Sequence, residues 1–463
     1  MLTIYDGRHR LHRRQLLTIG SLGLGGLTLP SLMARAGEPK SHISGKSVIF
    51  LFQQGGPSQL ETFDPKMDAP DAVRTMTGST QTKVPGVVFG DTMSRLSTLA
   101  DKLAVVRSFQ TGNAGHNIRP IVGPESRETN IGVHYSRLVG STRAATGMPT
   151  NAVLYPSAVD PEVPGPEARG DLRSTGNYSS AYVPFVPGAG GQLQDHMELH
   201  LQKGRFMQRR QLLAGLDTLK RELDANGQLE ADHALKQQAY QVLLGGGVSK
   251  ALDLSLEDPK TLAHYDTSRF ARQGQWNHVS RGKRGYYTAQ AKTIGHLLLL
   301  ARRLCEAGCG FVTIHAGYAG VWDMHADGNN LNMVDGMKAV GQSYDHAVAA
   351  FIEDVEARGL RDRIMLVTTG EMGRTPKINK RGGRDHWSRL APLLLYGGDV
   401  RGGQVIGQST RDGGEPATEA MTAQHLISTI MHTVFDVGRL RLVSGIPDQI
   451  TQLSQNQPIP VFD

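Results

Sequence analysis

Acidic, imidazole and guanidinium side chains gather in four short stretches of this chain. Asp323 and His325 lie in Trp322-Asp323-Met324-His325, and Glu371 and Arg374 in Gly370-Glu371-Met372-Gly373-Arg374. Asp385 and His386 lie in Arg384-Asp385-His386-Trp387, and His116 and Asn117 close Asn113-Ala114-Gly115-His116-Asn117. Carboxylates and imidazoles arriving from separate segments are what a divalent metal site needs. Asp323 and His325 are two apart, so extended backbone turns both to one side, where they can share a cation. An Asp that orients a structural His is the competing reading. His386 is a candidate ligand, with Asp385 either its outer partner or a ligand itself; a solvent-exposed His beside a packing Trp is the plainer alternative. Glu371, between two glycines that permit close backbone approach, is a further candidate ligand. Arg374 carries a planar fork of donors suited to an anionic oxygen, unless it only pairs with Glu371 at the surface.

The anion would also need backbone donors. Gly55-Gly56-Pro57-Ser58 is a turn that can present N–H groups, with Gly55, Gly56 and Ser58 as candidate contacts. No Gly-Lys-Ser/Thr follows, so it is not a nucleotide P-loop. His116 and Asn117 are expected to open a helix, where anions are favoured. There His116 could serve as base or nucleophile, and Asn117 as an anion contact or a helix cap. His315 either adds an imidazole to the same rim or packs beside its strand.

Each stretch follows a short apolar run. Ser47 to Phe52 precedes the glycine turn, Leu103 to Ser108 precedes His116, Gly310 to Ile314 precedes His315 and Asp323, and Arg363 to Thr368 precedes Glu371. Runs of this kind read as buried parallel strands, and open α/β sheets bind ligands beyond the carboxyl ends of such strands. Helices are predicted at Thr92 to Asp101, Thr288 to Ala307, Val334 to Arg358 and Thr422 to Val437. Further strands are predicted at Ala152 to Leu154 and Pro392 to Gly398. The second and third of these helices lead directly into strands, which predicts an α/β fold with a mostly parallel sheet covered on both faces. Leucines at helical spacing over 197–244 predict a helical hairpin inserted in the domain.

The chain has 463 residues and a formal charge of +7. Residues 1–36 hold five Arg and one acidic residue, so most of the excess sits there. No basic run interleaved with aromatics suggests a nucleic-acid partner. His12-Arg13-Arg14-Gln15-Leu16-Leu17, a weakly apolar stretch and Ala34-Arg35-Ala36 form a twin-arginine export pattern with a cleavage site. An amphipathic helix of the mature fold is the alternative. Export would leave residues 37–463 as one domain in the periplasm or cell envelope. No later segment has the uninterrupted apolar length of a membrane span. Cys305 and Cys309 lie outside any Cys-x-Pro-x-Arg context, so the formylglycine route of ordinary sulfatases is closed. They read as buried small side chains.

Taken together, the twin-arginine signal and the ordered motifs VIFLFQQGGPSQLETFDPK, LAVVRS with His116, AGCGFVTI, VWDMH, YDHAVAAFIEDVEARGLRDRIMLVTTGEMGRTP and GRDHW resemble the secreted family known as domain of unknown function 1501. That family is similar to the alkaline phosphatase and sulfatase superfamily. The resemblance covers about Lys46 to Val437. It implies an alkaline-phosphatase-like three-layer sandwich and metal-dependent hydrolysis of a phosphate or sulfate ester. An anionic ester or a sulfated or phosphorylated glycan would be the substrate. It implies His325 and His386 as imidazole ligands, Glu371 at the place of an aspartate ligand, and His116 near the nucleophile position. Gln53 or Gln54 stands where the superfamily has a ligand Asp, and Met372 where it has a ligand His. The implied site therefore holds one divalent ion, zinc or calcium, bound by Asp323, His325 and His386 with Asp385 or Glu371. A catalytically degenerate member that binds an anionic glycan or an envelope partner is the alternative.

Overall fold

The computed structural model describes residues 42–188 and 247–462, apart from 272–275, 277–278 and 316–317, together with Arg205 and a paired Tyr5–Asp6 and His9–Arg10. The chain divides into two compact units, Met1–His42 and Ile43–Asp463. The expected export signal at 1–36, beyond those two short strands, and the expected hairpin at 197–244, apart from Arg205, lie outside the described residues.

The second unit is built on a seven-stranded sheet. Its strands are β1 (Ser47–Phe52), β2 (Ala104–Val106), β3 (Asn151–Leu154), β4 (Phe311–His315), β5 (Ile364–Thr369), β6 (Leu393–Tyr396) and β7 (Gln404–Ile406). The order across the sheet is β7-β2-β6-β5-β1-β4-β3. All neighbours are parallel except β6, which runs against both β5 and β2. Six strands, all but β6, thus send their carboxyl ends to one edge.

Strand residues alternate between the two faces, and two separate cores record it. Ile49, Leu51, Val312, Ile314 and Leu366 pack on one face, with α2 (Arg281–Glu306) and α3 (Gln342–Ala357). Val48, Phe50, Phe52, Met365 and Val367 pack on the other, with α1 (Ile131–Val139) and α4 (Ala423–Val434). The result is three layers of helix, sheet and helix. Tyr344 of α3 ties helix to sheet through a 2.6 Å hydrogen bond with Thr368 of β5.

Three expected elements differ. Thr92 to Asp101 is not one helix: a short α-helix, Ser94–Thr98, lies between tighter single turns at Asp91–Met93 and Ala100–Lys102. Val334 to Arg358 is not one regular helix. A turn of α-helix at Met333–Gly336 passes into a π-helical segment, Met337–Gly341, before α3. At Gly336 a Cβ would lie 2.6 Å from the Met324 side chain, so only glycine lets Met324 press so closely on this turn. The predicted helix after Leu103 to Ser108 is absent: residues 111–123 run through bends and turns, and the next helical turn begins at Pro124. Gly112, at φ +65°, and Gly115 disfavour a helix there.

His134 on α1 carries a consequence for stability. Its Nε2–H donates to the Ser126 carbonyl at 2.9 Å, and the Tyr178 hydroxyl lies 3.2 Å from Nδ1. Burial pulls its pKa down to about 4, against the opposing pull of the Ser126 hydrogen bond. The unfolded chain takes up this proton near the ordinary value of about 6.5. The residue's contribution is therefore complete above that pH and is lost as pH falls toward 4. His134→Asn should reduce the drop in denaturant midpoint between pH 7 and pH 5 relative to the parent chain. An equal drop in both proteins contradicts the assignment.

Candidate metal centre

Four ligand atoms, one each from His116, Asp323, His325 and His386, lie within 4.8 Å of one another. They come from three loops beyond the carboxyl ends of β2, β4 and β5, so the sheet's parallel order brings distant segments to one place. His116 follows β2. Asp323 and His325 follow β4. His386 lies on a short strand, His386–Trp387, which pairs antiparallel with Gly373–Arg374 beyond β5 and places His386 opposite Arg374.

Close backbone contacts lock these loops together. Gly383 lies so near the His325 backbone that a Cβ would sit 2.3 Å from its carbonyl carbon and oxygen. Beside it, the Arg384 N–H donates to the Met324 carbonyl at 3.0 Å, and Asn379 Nδ2 donates to the His325 carbonyl at 2.9 Å. Gly55, at φ +122°, would place a Cβ 2.8 Å from the Trp322 nitrogen and 2.9 Å from that of Asp323. The glycine turn is thus the floor beneath Asp323.

Asp323 is the hub. Its Oδ1 lies 2.7 Å from His325 Nε2, 3.3 Å from His386 Nε2 and 2.7 Å from Arg374 Nη2. Its Oδ2 lies 2.9 Å from His116 Nε2. Burial pushes its pKa up, but hydrogen bonds from the three imidazoles and the charge of Arg374 hold it well below the usual carboxylate range. Asp323 is ionised at any physiological pH.

The three imidazoles share one arrangement. His116 Nδ1 faces Glu371 Oε1 at 2.9 Å, His325 Nδ1 faces Asp385 Oδ1 at 3.3 Å, and His386 Nδ1 faces the Ala114 carbonyl at 2.8 Å. Those oxygens accept, so each Nδ1 carries a proton and each Nε2 points inward. His325 Nε2 and His386 Nε2 are 2.9 Å apart. Two lone pairs cannot face each other at that distance without a proton or a cation between them. Imidazoles whose outer N–H is held by an oxygen, with the inner nitrogens converging, are characteristic of metal ligands. Nitrogens sharing a tetrahedral zinc at ~2.0–2.1 Å lie roughly 3.3 Å apart, against 2.9 Å between His325 and His386 Nε2 and at most 4.8 Å across the group. Burial draws the His116 pKa down, yet Asp323 and Glu371 outweigh it and leave the value above that of an ordinary histidine.

Several candidate residues take places other than those expected. His116 was expected as base or nucleophile, but both its nitrogens are engaged and it joins the four-donor group. Glu371 and Asp385 stand outside that group and hold imidazoles. Glu371 is fully buried and also accepts the Gly55 N–H at 2.9 and 3.1 Å. The glycine turn's N–H is therefore spent on a carboxylate of the chain itself, because buried backbone donors must be satisfied. Ser58 is buried, and its hydroxyl accepts from the Glu61 N–H at 3.3 Å, within a turn. The Asn117 side chain accepts from Arg119 N–H at 3.0 Å. His315 meets Gln54 Oε1 at 2.9 Å and is not one of the four.

Arg374 is the clearest correction. Expected on a substrate anion, its side chain has no exposed surface. Besides Asp323 it bonds the carbonyls of Gly55, Gly56, Trp322 and Arg384. It neutralises Asp323 and pins three loops. A buried pair that loses one partner typically costs about 3–5 kcal/mol. Arg374→Met should lower unfolding free energy by roughly that amount in chemical denaturation, and Arg374→Lys should recover little, because one ammonium cannot serve the fork's acceptors. A loss below about 1 kcal/mol would contradict this role.

A sulfatase from Pseudoalteromonas sp., PsFucS1, is similar at 11% identity, over 91% of this chain and 72% of its own, with TM-score 0.36. A Bacteroides thetaiotaomicron structure described as a 4S-sulf from a glycosaminoglycan-metabolism locus shows 10% identity, over 90% and 76%, with TM-score 0.38. A phosphonate monoester hydrolase from Silicibacter pomeroyi shows 12% identity, over 84% and 73%, with TM-score 0.32. Likeness this distant says nothing of substrate or mechanism. No curated protein matches the sequence. The match that decides membership spans residues 45–455, nearly the whole second unit: the chain belongs to the family described as Protein of unknown function (DUF1501).

Proposed function

We propose that this chain is a metal-dependent hydrolase of phosphate or sulfate esters, with His116, Asp323, His325 and His386 as the ligands of one divalent ion. The observation that carries the reading is the common orientation of the imidazoles, each Nδ1–H tied outward and each Nε2 turned toward Asp323. Three nitrogens and a carboxylate suit zinc or a similar transition ion. Calcium takes six to eight oxygen ligands and does not suit this set.

A cation of this kind supplies Lewis-acid polarisation of an ester oxygen and of water. The chain's own residues prepare the site. Glu371 and Asp385 fix the tautomers of His116 and His325, and Arg374 holds Asp323 in place as an anion. His325 and His386 are the more exposed pair, at 20% and 26%, against 7% and 8% for His116 and Asp323. Solvent and substrate reach the centre from their side. Cys305 and Cys309 are buried, and desolvation pushes Cys309 up to about 12, so neither supplies a thiolate nucleophile. Water is the attacking group in this reading. The substrate is an anionic ester, with sulfated or phosphorylated glycans among its class, and the twin-arginine pattern supports a reaction outside the cytoplasm. No described helix is long and apolar enough to cross a membrane.

The number of donors favours a second reading. Four protein ligands fill a tetrahedral shell, as in structural zinc sites. The chain would then be a metal-stabilised binding protein for an anionic glycan or an envelope partner. Elemental analysis of purified protein and a screen of generic aryl phosphate and sulfate esters separate the two. The enzyme reading expects about one ion per chain, turnover, and loss of both in His325→Ala and His386→Ala. Glu371→Gln should weaken metal affinity by about 10–100-fold while leaving the ligands in place. Metal without turnover supports the binding reading. Full metal occupancy in a His325→Ala/His386→Ala double variant overturns the site itself.

A further inference from the structure

A cavity of about 720 Å³ lies beyond the carboxyl end of β3, the last strand of the sheet, and none of the four candidate metal ligands lines it. We infer that this cavity is a sugar-binding groove, which holds an uncharged unit of a glycan by its apolar ring face and its vicinal hydroxyls. The inference rests on the glycan class named above and is independent of the metal.

Backbone contacts build the groove. Tyr155 follows β3 directly and enters the lining. Val186 and Pro187 form part of it, on a segment paired to β3. There the Phe185 N–H donates to the Asn151 carbonyl at 3.0 Å, and the Phe185 carbonyl accepts from the Val153 N–H at 2.8 Å. Residues 166–173 supply further lining and are held from the other side. The Arg169 N–H donates to Gln54 Oε1 at 3.1 Å, and Gln54 Nε2 donates to the Asn117 carbonyl at 2.6 Å. At Gly170 a Cβ would lie 2.7 Å from the Ile118 side chain. The His116–Ile118 segment thus has one end in the metal centre and the other against the groove's loop. Open α/β sheets bind ligands beyond these strand ends, and the volume falls within the range of small-molecule sites.

The lining divides by chemistry. Pro166, Val186 and Pro187 offer apolar surface, and Val186, at 36%, is one of five large apolar side chains exposed among the described residues. Tyr155, Asp171 and Arg173 bring the polar groups. The Tyr155 ring lies 5.8 Å from that of His315, and its hydroxyl has no hydrogen-bond partner among the described residues. Burial and Asp171 push the Tyr155 pKa up against the pull of Arg173, so the hydroxyl keeps its proton. Asp171 Oδ1 accepts from the Arg173 N–H at 2.9 Å and from its Nε at 3.2 Å. Asp171 Oδ2 and both Arg173 Nη groups are left over, on side chains 60% and 56% exposed. A carboxylate accepts and a guanidinium donates, so neighbouring hydroxyls of one ring can satisfy both. A wholly apolar ligand would strip water from these groups and leave them unpaired. A sulfate or phosphate would meet the Asp171 carboxylate beside a single guanidinium, a pair with no net charge to attract it. A neutral polyol with a C–H face uses every part of the lining, and the amphipathic Tyr155 ring suits both sides of it.

The test is titration calorimetry of the full chain, metal-free and zinc-loaded. The probes are cellopentaose, maltopentaose, laminaripentaose and xylopentaose, with a chondroitin 4-sulfate tetrasaccharide and its desulfated form. At least one neutral probe should bind, with the same affinity in both states of the protein. Val186→Trp, which fills the groove, and Asp171→Asn, which still accepts from the Arg173 N–H, should each weaken that binding at least about 10-fold. Both positions are exposed, and an unchanged melting temperature verifies that each variant is folded. The proposal is overturned if no neutral probe binds, or if either variant keeps the parent's affinity. Binding of the sulfated tetrasaccharide alone overturns it as well, and so does sugar binding that appears only with zinc. A chain that takes up no zinc ends the metal reading and leaves each of these outcomes decisive in the metal-free protein.

Discussion

One buried carboxylate sets the terms for the rest of this structure. Asp323 is almost inaccessible to solvent, yet it stays ionised, and an ionised carboxylate in an apolar interior is tolerated only with partners. Arg374 is the permanent one, and it is itself buried and tied to backbone carbonyls on three loops. The imidazoles fill the remaining lone pairs. Their inner nitrogens crowd a space where protons alone leave one short nitrogen–nitrogen contact, between His325 and His386. Exchange of those protons for a divalent ion would satisfy every donor at once, and each outer hydrogen bond is already made.

The fold supplies the convergence. Adjacent parallel strands β5, β1 and β4 end at the same edge, so the glycine turn after β1, the Asp323 loop after β4 and the Glu371–Arg374 loop after β5 are neighbours by topology. Small residues then let backbones approach to contact: Gly55 under Trp322 and Asp323, and Gly383 against His325. Arg384 continues the second contact inward. Buried beside Glu61, it anchors the His386 loop to the segment after β1. Precision at the centre is thus paid for by backbone contacts rather than by regular secondary structure.

Much of this was legible in the residues themselves. SVIFLF, FVTIH and IMLVTT are strands because continuous apolar runs bounded by turns fit a sheet buried on both faces. The Leu-rich run before Gly308 forms α2, and Ala423–Val434 forms α4. The reversal of β6 was not legible, since an apolar run reads alike in either direction. The spacing of Asp323 and His325, and the Arg-Asp-His-Trp tetrapeptide, pointed to their shared place. The exchange of roles between His116 and Glu371 was hidden, because it depends on which side of an imidazole a carboxylate occupies. The fate of Arg374 was hidden too. A guanidinium after a strand looks the same whether its fork faces a ligand or the carbonyls of its own turn. The one cue lay in Gly55-Gly56, whose open backbone could accept as well as donate.

The account stands on a cation at the convergence of four side chains from distant parts of the sequence. An anomalous-difference map from crystals of the zinc-loaded protein, recorded on either side of the zinc edge, tests this most directly. A single strong peak within about 2.0–2.2 Å of His116 Nε2, His325 Nε2, His386 Nε2 and an Asp323 oxygen is the result expected. A map with no peak there, or with zinc held only by other residues, would contradict the account.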